Sequence, residues 1–146
     1  MSTTSVQDSS LFQRLQRETT AEVRFDEFSR GLYSTDASIY QIKPLGVVVP
    51  KTEQDVLATL SIANDAGVSV TMRGAGTSQC GQTVGEGLIV DVSKHLHRLI
   101  SVDVENRRTV VQPGIVLDQL NAQLKPHGLF FPVDVSTSSR ATIGGM

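Results

Sequence analysis

Val70-Thr71-Met72-Arg73-Gly74-Ala75-Gly76-Thr77-Ser78-Gln79-Cys80-Gly81 reads as a short apolar strand running straight into a loop of small residues. Gly74 and Gly76 allow backbone conformations that a side chain would forbid. Successive amide N–H groups can then turn to one side and form a concave anion site. Thr77 and Ser78 add hydroxyl donors, and Arg73 at the strand end can bring a full positive charge. A phosphate or diphosphate needs this set of groups.

The residues before the loop give it a scaffold. Leu45-Gly46-Val47-Val48-Val49-Pro50 is a strand stopped by proline. Thr52 and Asp55 form an Asp version of the capping box, and Glu53 and Asp55 suit the positive end of a helix dipole. Val56, Leu57, Leu60, Ala63 and Ala66 fall on one helical face, and Gly67 ends the helix. Residues 68–72 then alternate as a strand. A strand–helix–strand unit of this length favours parallel pairing of its strands with a right-handed crossover. The glycine loop then lies at the carboxyl end of the second strand, where open α/β sheets hold ligands.

Further out, residues 1–10 read as a disordered polar tail. Ser10 caps a helix expected over residues 11–23, with residues 25–28 extending it after a break. Residues 31–43 are irregular, with Tyr33 and Tyr40 as packing anchors. Downstream, residues 88–92 form a strand. Residues 99–103 and 109–112 are two more, joined by a turn of hairpin length. Pro113-Gly114 breaks the pattern. Val116, Leu117, Leu120 and Leu124 make an amphipathic helix, followed by a short apolar strand over residues 129–132. A second loop of hydroxyls and glycines then carries Asp134, Ser136, Thr137, Ser138, Thr142, Ile143, Gly144 and Gly145. The expected fold class is α+β. Residues 1–29 are a tail and helix, and residues 30–146 a binding domain of two subdomains. The first, over about residues 44–95, is the β-α-β unit. The second, over about 96–146, is antiparallel β with a helix.

Composition narrows the function. The 146 residues suit one domain, with 39% hydrophobic and 19% charged residues, ordinary for a globular protein. A net charge of -2 gives no electrostatic footprint for nucleic acid. No apolar run approaches a membrane span, and no signal peptide is visible at the N-terminus. The one cysteine, Cys80, excludes an intramolecular disulfide, and the expected setting is cytoplasmic. His95 and His97 lack the further ligands that a metal pair needs, so no metal site is expected. His127 reads as a helix-end cation and Cys80 as a small residue filling space. No Ser/His/Asp or Cys/His constellation appears, and no catalytic residue can be named. A Gly-Gly pair is a poor end for a domain, so the chain reads as an N-terminal fragment.

The glycine loop fails two familiar nucleotide motifs. A Rossmann turn would need a third glycine at position 79, which is Gln. The following segment contains Gly81, Gly85 and Gly87, and a helix there would lose roughly 1 kcal/mol per glycine. No Gly-Lys-Ser/Thr follows, which removes the P-loop. What remains is a diphosphate held by a loop rather than by a helix start. The second loop, on the other subdomain, could grip the same long molecule.

Arg73-Gly74-Ala75-Gly76-Thr77-Ser78, Leu88-Ile89-Val90-Asp91-Val92-Ser93, Val111-Gln112-Pro113-Gly114, Phe131-Pro132-Val133-Asp134 and Ala141-Thr142-Ile143-Gly144-Gly145 together resemble the FAD-binding domain of the FAD-linked oxidase family. That family includes p-cresol methylhydroxylase, vanillyl-alcohol oxidase, D-lactate dehydrogenases and the glycolate oxidase flavin subunit. The resemblance covers about residues 30–146. It is greatest to large dehydrogenases that also carry a C-terminal iron–sulfur region, through the run from Thr77 to Val84.

The resemblance implies FAD as cofactor. The loop of Arg73, Gly74, Ala75, Gly76, Thr77, Ser78 and Gln79, with Gly81 beyond it, would cradle the diphosphate. Asp134, Ser136, Thr137 and Ser138 would approach the flavin or its ribityl arm. Thr142, Ile143, Gly144 and Gly145 would add close backbone contact. It also implies oxidation of a 2-hydroxy acid or related alcohol, with hydride transfer to the flavin. The substrate region, and an electron acceptor or iron–sulfur region, would lie outside this chain. Two departures matter. Covalent members carry a histidine where this loop has Thr77, which implies noncovalent FAD. The usual Pro-Pro-Asp-Pro is here Pro132-Val133-Asp134-Val135, so the second loop loses its flanking prolines. The alternative reading is a truncated nucleotide-binding or interaction module without activity of its own.

Overall fold

Val47, Val48 and Val49, and Leu88, Ile89 and Val90, are all buried, which is the mark of strands covered on both faces. In the computed structural model, which describes residues 3–146, they form the centre of a four-stranded sheet. The chain runs α1 (Thr3–Glu18), β1 (Glu22–Arg24), α2 (Glu27–Leu32), β2 (Gly46–Val49), α3 (Glu53–Asp65), β3 (Val70–Arg73) and β4 (Leu88–Asp91). It continues with β5 (Leu99–Asp103), β6 (Arg108–Val111) and α4 (Leu117–Leu124). The first sheet has the order β1-β2-β4-β3, with β1 antiparallel to β2 and the other pairs parallel. β5 and β6 make a separate antiparallel pair.

One face of the large sheet packs Val48, Leu88 and Val90 against Leu11 and Leu15 of α1 and Ile62 and Ala63 of α3. The other face packs Val47, Val49 and Ile89 around Tyr33. The hairpin closes over α4 through Ile115, Leu120 and Leu124, with Leu99, Val102 and Val111 against them.

The architecture is the expected α+β, with several corrections in detail. β2 and β3 are parallel but do not pair with each other, because β4 lies between them. The first helix occupies Thr3–Glu18 rather than residues 11–23, so residues 3–10 are helical; residues 1–2 of the expected tail lie outside the described residues. Val23 belongs to β1. The helix stops because the Thr20 N–H donates to Asp55 Oδ1 at 2.7 Å and the Thr20 hydroxyl binds the same carboxylate. Residues 27–32 are a helix of their own, capped by Asp26, whose carboxylate accepts from the Ser29 N–H.

The capping box on α3 forms as read, with Asp55 N donating to Thr52 Oγ1 and Thr52 N to Asp55 Oδ2. Its buried face keeps Ala63, with Val56 packed at the core's edge, and otherwise differs. Asp55, Thr59, Ile62 and Ala63 point inward, while Leu57, Leu60 and Ala66 face solvent. Thr59 can be buried because its hydroxyl donates to Asp55 O at 2.7 Å. The strand expected over residues 129–132 is absent. The Asn121 side-chain amide takes both backbone groups of Phe131, and Pro132 has no N–H to offer a ladder.

Candidate functional site

β3 ends at Arg73, and the chain turns into the small-residue loop at the carboxyl end of the parallel strands. Gly76 takes φ +70° and Gly81 φ +79°, the left-handed region that favours glycine. From the other side, residues 133–142 fold as tight turns. Arg140 N and Ala141 N both donate to Thr137 O, at 2.8 and 2.7 Å. This second loop is tied to the start of α4, where Leu117 N donates to Ala141 O and Asp118 N to Ser138 O. Two of the free amides at that helix end are thus satisfied within the protein.

The two loops meet across a cavity of about 340 Å³. Gly74, Ala75, Gly76, Thr77, Ser78 and Gln79 line one side of it. Thr137, Thr142 and Gly145 line the other. The contact between the loops is closest at Gly74, where any Cβ would overlap Thr142 Oγ1. That hydroxyl is buried and has no hydrogen-bond partner, on a residue only 3% exposed. None of the lining side chains is charged, so the donors available to an anion are amides and hydroxyls.

The other residues singled out from sequence lie around the cavity rather than on it. The Arg73 guanidinium donates to Thr35 O at 2.9 Å and Thr83 O at 3.2 Å, and sits 5.2 Å from the centre of the Tyr33 ring. Its charge is committed to shaping the loop. Gly81 packs against the Tyr40 ring, which would overlap a Cβ there. Ile143 packs into the α4 core and Gly144 against Pro113. Asp134 and Ser136 are exposed and do not line the cavity, and Ser138 serves α4 through its carbonyl.

Cys80, Gln82, Thr83, Val135, Ala141 and Met146 line the cavity without having been singled out as ligand contacts. Cys80 is exposed, so it does not fill packed space as expected. Gln82 Oε1 accepts a hydrogen bond from the Ser78 hydroxyl, an i,i+4 pairing that loop sequences do not advertise.

Behind the glycine loop lies a second polar cluster. Tyr33 Oη donates to the buried Asp91 Oδ2 at 2.6 Å, and Ser93 N and Oγ donate to Asp91 Oδ1. Burial, and then the bond to Asp91, push the Tyr33 phenol well above its ordinary range. The histidines go elsewhere. His95 Nε2 lies 3.1 Å from Glu22 Oε1, whose carboxyl Arg24 and then His95 hold low. His97 and His127 are exposed. No helix among the described residues is long and apolar enough to cross a membrane.

A family profile described as "FAD binding domain" matches residues 44–146. The chain is 47% identical over 116 residues to D-2-hydroxyglutarate dehydrogenase of Pantoea ananatis, covering 77% of this chain and 11% of that protein. It is 43% identical over 128 residues to the enzyme of the same name from Pseudomonas putida, covering 86% and 13%. Glycolate oxidase subunit GlcD of Bacillus subtilis is 37% identical over 126 residues, covering 83% and 27%. The chain therefore spans a minor part of the relatives it matches. Among solved structures, alkyldihydroxyacetonephosphate synthase superposes with a TM-score of 0.83 over 94% of this chain and 28% of that one, at 18% identity. p-Cresol methylhydroxylase superposes with a TM-score of 0.65 over 85% and 25%, at 16% identity. These two establish likeness of fold.

Proposed function

This chain belongs to the FAD binding domain family, and on that premise we propose that it is the FAD-binding portion of a flavin-dependent oxidoreductase. The substrate class is a 2-hydroxy acid of the D-2-hydroxyglutarate, D-lactate or glycolate type, as the names of its relatives indicate. The observation that carries the reading is the orphaned Thr142 hydroxyl between two small-residue loops. A buried donor without a partner costs about 1–3 kcal/mol. A diphosphate oxygen bound in the cavity that Thr142 lines would be the acceptor it lacks, once the hydroxyl turns out from beside Gly74.

The residues present fit that group. Residues 74–79 bring backbone amides close because Gly74 and Gly76 carry no side chain, and Thr77 and Thr137 add hydroxyls. No lining side chain is a carboxylate that would repel phosphate. FAD held there would supply the redox chemistry as hydride acceptor for the hydroxy acid. This chain's part is to hold and orient the diphosphate and to keep water from its buried edge. The glycine loop, where covalent members of the family often carry a histidine, has Thr77 and no histidine, which supports noncovalent attachment. Residues 44–95 and 96–146 act as the two jaws. The catalytic base, the substrate pocket and the electron acceptor, with any iron–sulfur region, belong to parts of the enzyme outside these 146 residues. The compartment is the cytoplasm.

The test is direct. FAD is added to the purified chain, free cofactor is removed by gel filtration, and the visible spectrum is recorded. Oxidised-flavin bands that travel with the protein and are released by heat support the reading. A folded chain that emerges colourless refutes it.

A further inference from the structure

We propose that residues 35–40 form a strap that sets the shape of the glycine loop before any ligand arrives, with Asp36 as its positioning residue. The strap is closed on itself by the Thr35–Gln41 bridge and by Ile42 N donating to Ser34 O at 2.9 Å. It then reaches the loop at four points. Arg73 Nη2 donates to Thr35 O at 2.9 Å. Ala37 N donates to Gly76 O at 3.1 Å. The Thr83 hydroxyl donates to Asp36 Oδ2 at 2.9 Å. The Tyr40 ring lies flush against Gly81.

The bond to Gly76 O has a geometric consequence. A trans peptide is planar, so its C=O and N–H point in opposite directions. With the Gly76 carbonyl turned onto the strap, the Thr77 N–H is turned away from the strap, and Thr77 is one of the residues that line the cavity. The strap thus aims a donor that the loop's glycines would otherwise leave free to rotate.

Asp36 fixes both ends of this arrangement. One carboxylate oxygen accepts from Ser38 N at 2.8 Å inside the strap, and the other holds Thr83 on the far wall of the cavity. A loop ordered in advance spares the ligand the entropy of ordering it. The proposal rests on the FAD reading for its ligand, but the ordering of the loop does not depend on that reading.

The experiment uses the whole chain and three variants, Asp36→Ala, Asp36→Asn and Thr83→Val. Amide hydrogen exchange is measured without ligand at Ala37, whose N–H is held by Gly76 O, and at Cys80 and Gln82, whose N–H groups are held by Ser78 Oγ, with β4 as internal control, and FAD affinity is measured by flavin fluorescence. Asp36→Ala and Thr83→Val each speed loop exchange by about 10-fold and weaken FAD by a similar factor, the scale of one lost charge-assisted bond. Asp36→Asn stays within about 3-fold on both readouts, because its Oδ1 still accepts from Ser38 N and its amide can donate to Thr83 Oγ1. Should Asp36→Ala loosen β4 as well, Thr83→Val decides.

Unchanged loop exchange in Asp36→Ala and Thr83→Val overturns the strap, as does an equal loss in Asp36→Asn. Looser loops with FAD affinity unaltered overturn its role in binding. If the parent chain takes up no FAD while Asp36→Ala and Thr83→Val still loosen the loop and Asp36→Asn does not, the FAD reading fails and the strap stands.

Discussion

Replacing Thr142 with Val separates a binding role from a structural one by the sign of two effects. Val keeps the branched shape and exchanges the hydroxyl for a methyl group. In the ligand-free chain that hydroxyl is buried and makes no hydrogen bond. Removing a buried unsatisfied donor relieves a cost of about 1–3 kcal/mol. The methyl is slightly larger than the hydroxyl and meets the Gly74 backbone, which offsets part of the gain. The expected net is about 1 kcal/mol of added stability, seen as a rise of roughly 3 °C in Tm for a chain of this size. FAD binding moves the other way. A hydrogen bond to a charged phosphate oxygen contributes about 1.5–3 kcal/mol, so its loss weakens binding by roughly 10- to 100-fold. Scanning calorimetry of the ligand-free chain and a flavin fluorescence titration give the two numbers. A variant that is less stable by more than about 1 kcal/mol yet binds FAD as the parent does would refute the reasoning, since the hydroxyl would then serve the fold alone.

Gly74→Ala drives a methyl into Thr142 Oγ1 and is expected to cost about 1–3 kcal/mol; pairing it with Thr142→Ala should recover most of that in a double-mutant cycle of melting measurements. Burial pulls the Asp55 carboxyl upward, but the bonds from Thr20, Lys51 and Thr52 outweigh it and leave the group below its ordinary 3.8. A depressed folded pKa means that this stability is fully present above the unfolded value and is lost as the pH falls through the folded one. Urea titrations should therefore show stability declining below about pH 5, and Asp55→Asn should flatten that acid limb. Tyr33 shifts the opposite way, so its contribution is fully present below pH 10.0 and is lost as the pH rises beyond it. Tyr33→Phe should remove that alkaline limb and cost about 1–3 kcal/mol at neutral pH through the lost bond to Asp91.

What could be read from the sequence was what depends on neighbouring residues. The glycine loop follows its strand, the α3 capping box forms, and the hairpin lies where its alternation put it. The insertion of β4 between β2 and β3 could not be read, because strand order is decided by pairing across nearly forty residues rather than by local pattern. On α3 the apolar spacing places Val56 and Ala63 correctly but puts Leu57 and Leu60 where Thr59 and Ile62 lie. Thr59 satisfies its hydroxyl on its own helix and so takes a core place that its polarity seemed to deny it. At the site, the recurrence of glycine and hydroxyl residues was enough to expect two converging loops. The charge on Arg73 was visible, but not that two carbonyls would claim it. Nor does any pattern of residue types reveal that, among the buried side-chain groups of the described residues, the Thr142 hydroxyl is the one left without a partner.

The strap, Asp36 and Tyr33 all lie upstream of residue 44, where the match to the family profile begins. The border of the profile and the border of the braced unit therefore differ. A protein trimmed to residues 44–146 would keep every position the profile matches and lose the Thr35 carbonyl that holds Arg73, the Ala37 amide on Gly76 and the phenol on Asp91. Anyone grafting this cofactor cradle into another scaffold should cut before Asp26, whose cap starts the helix leading to Tyr33, and carry the brace along with it.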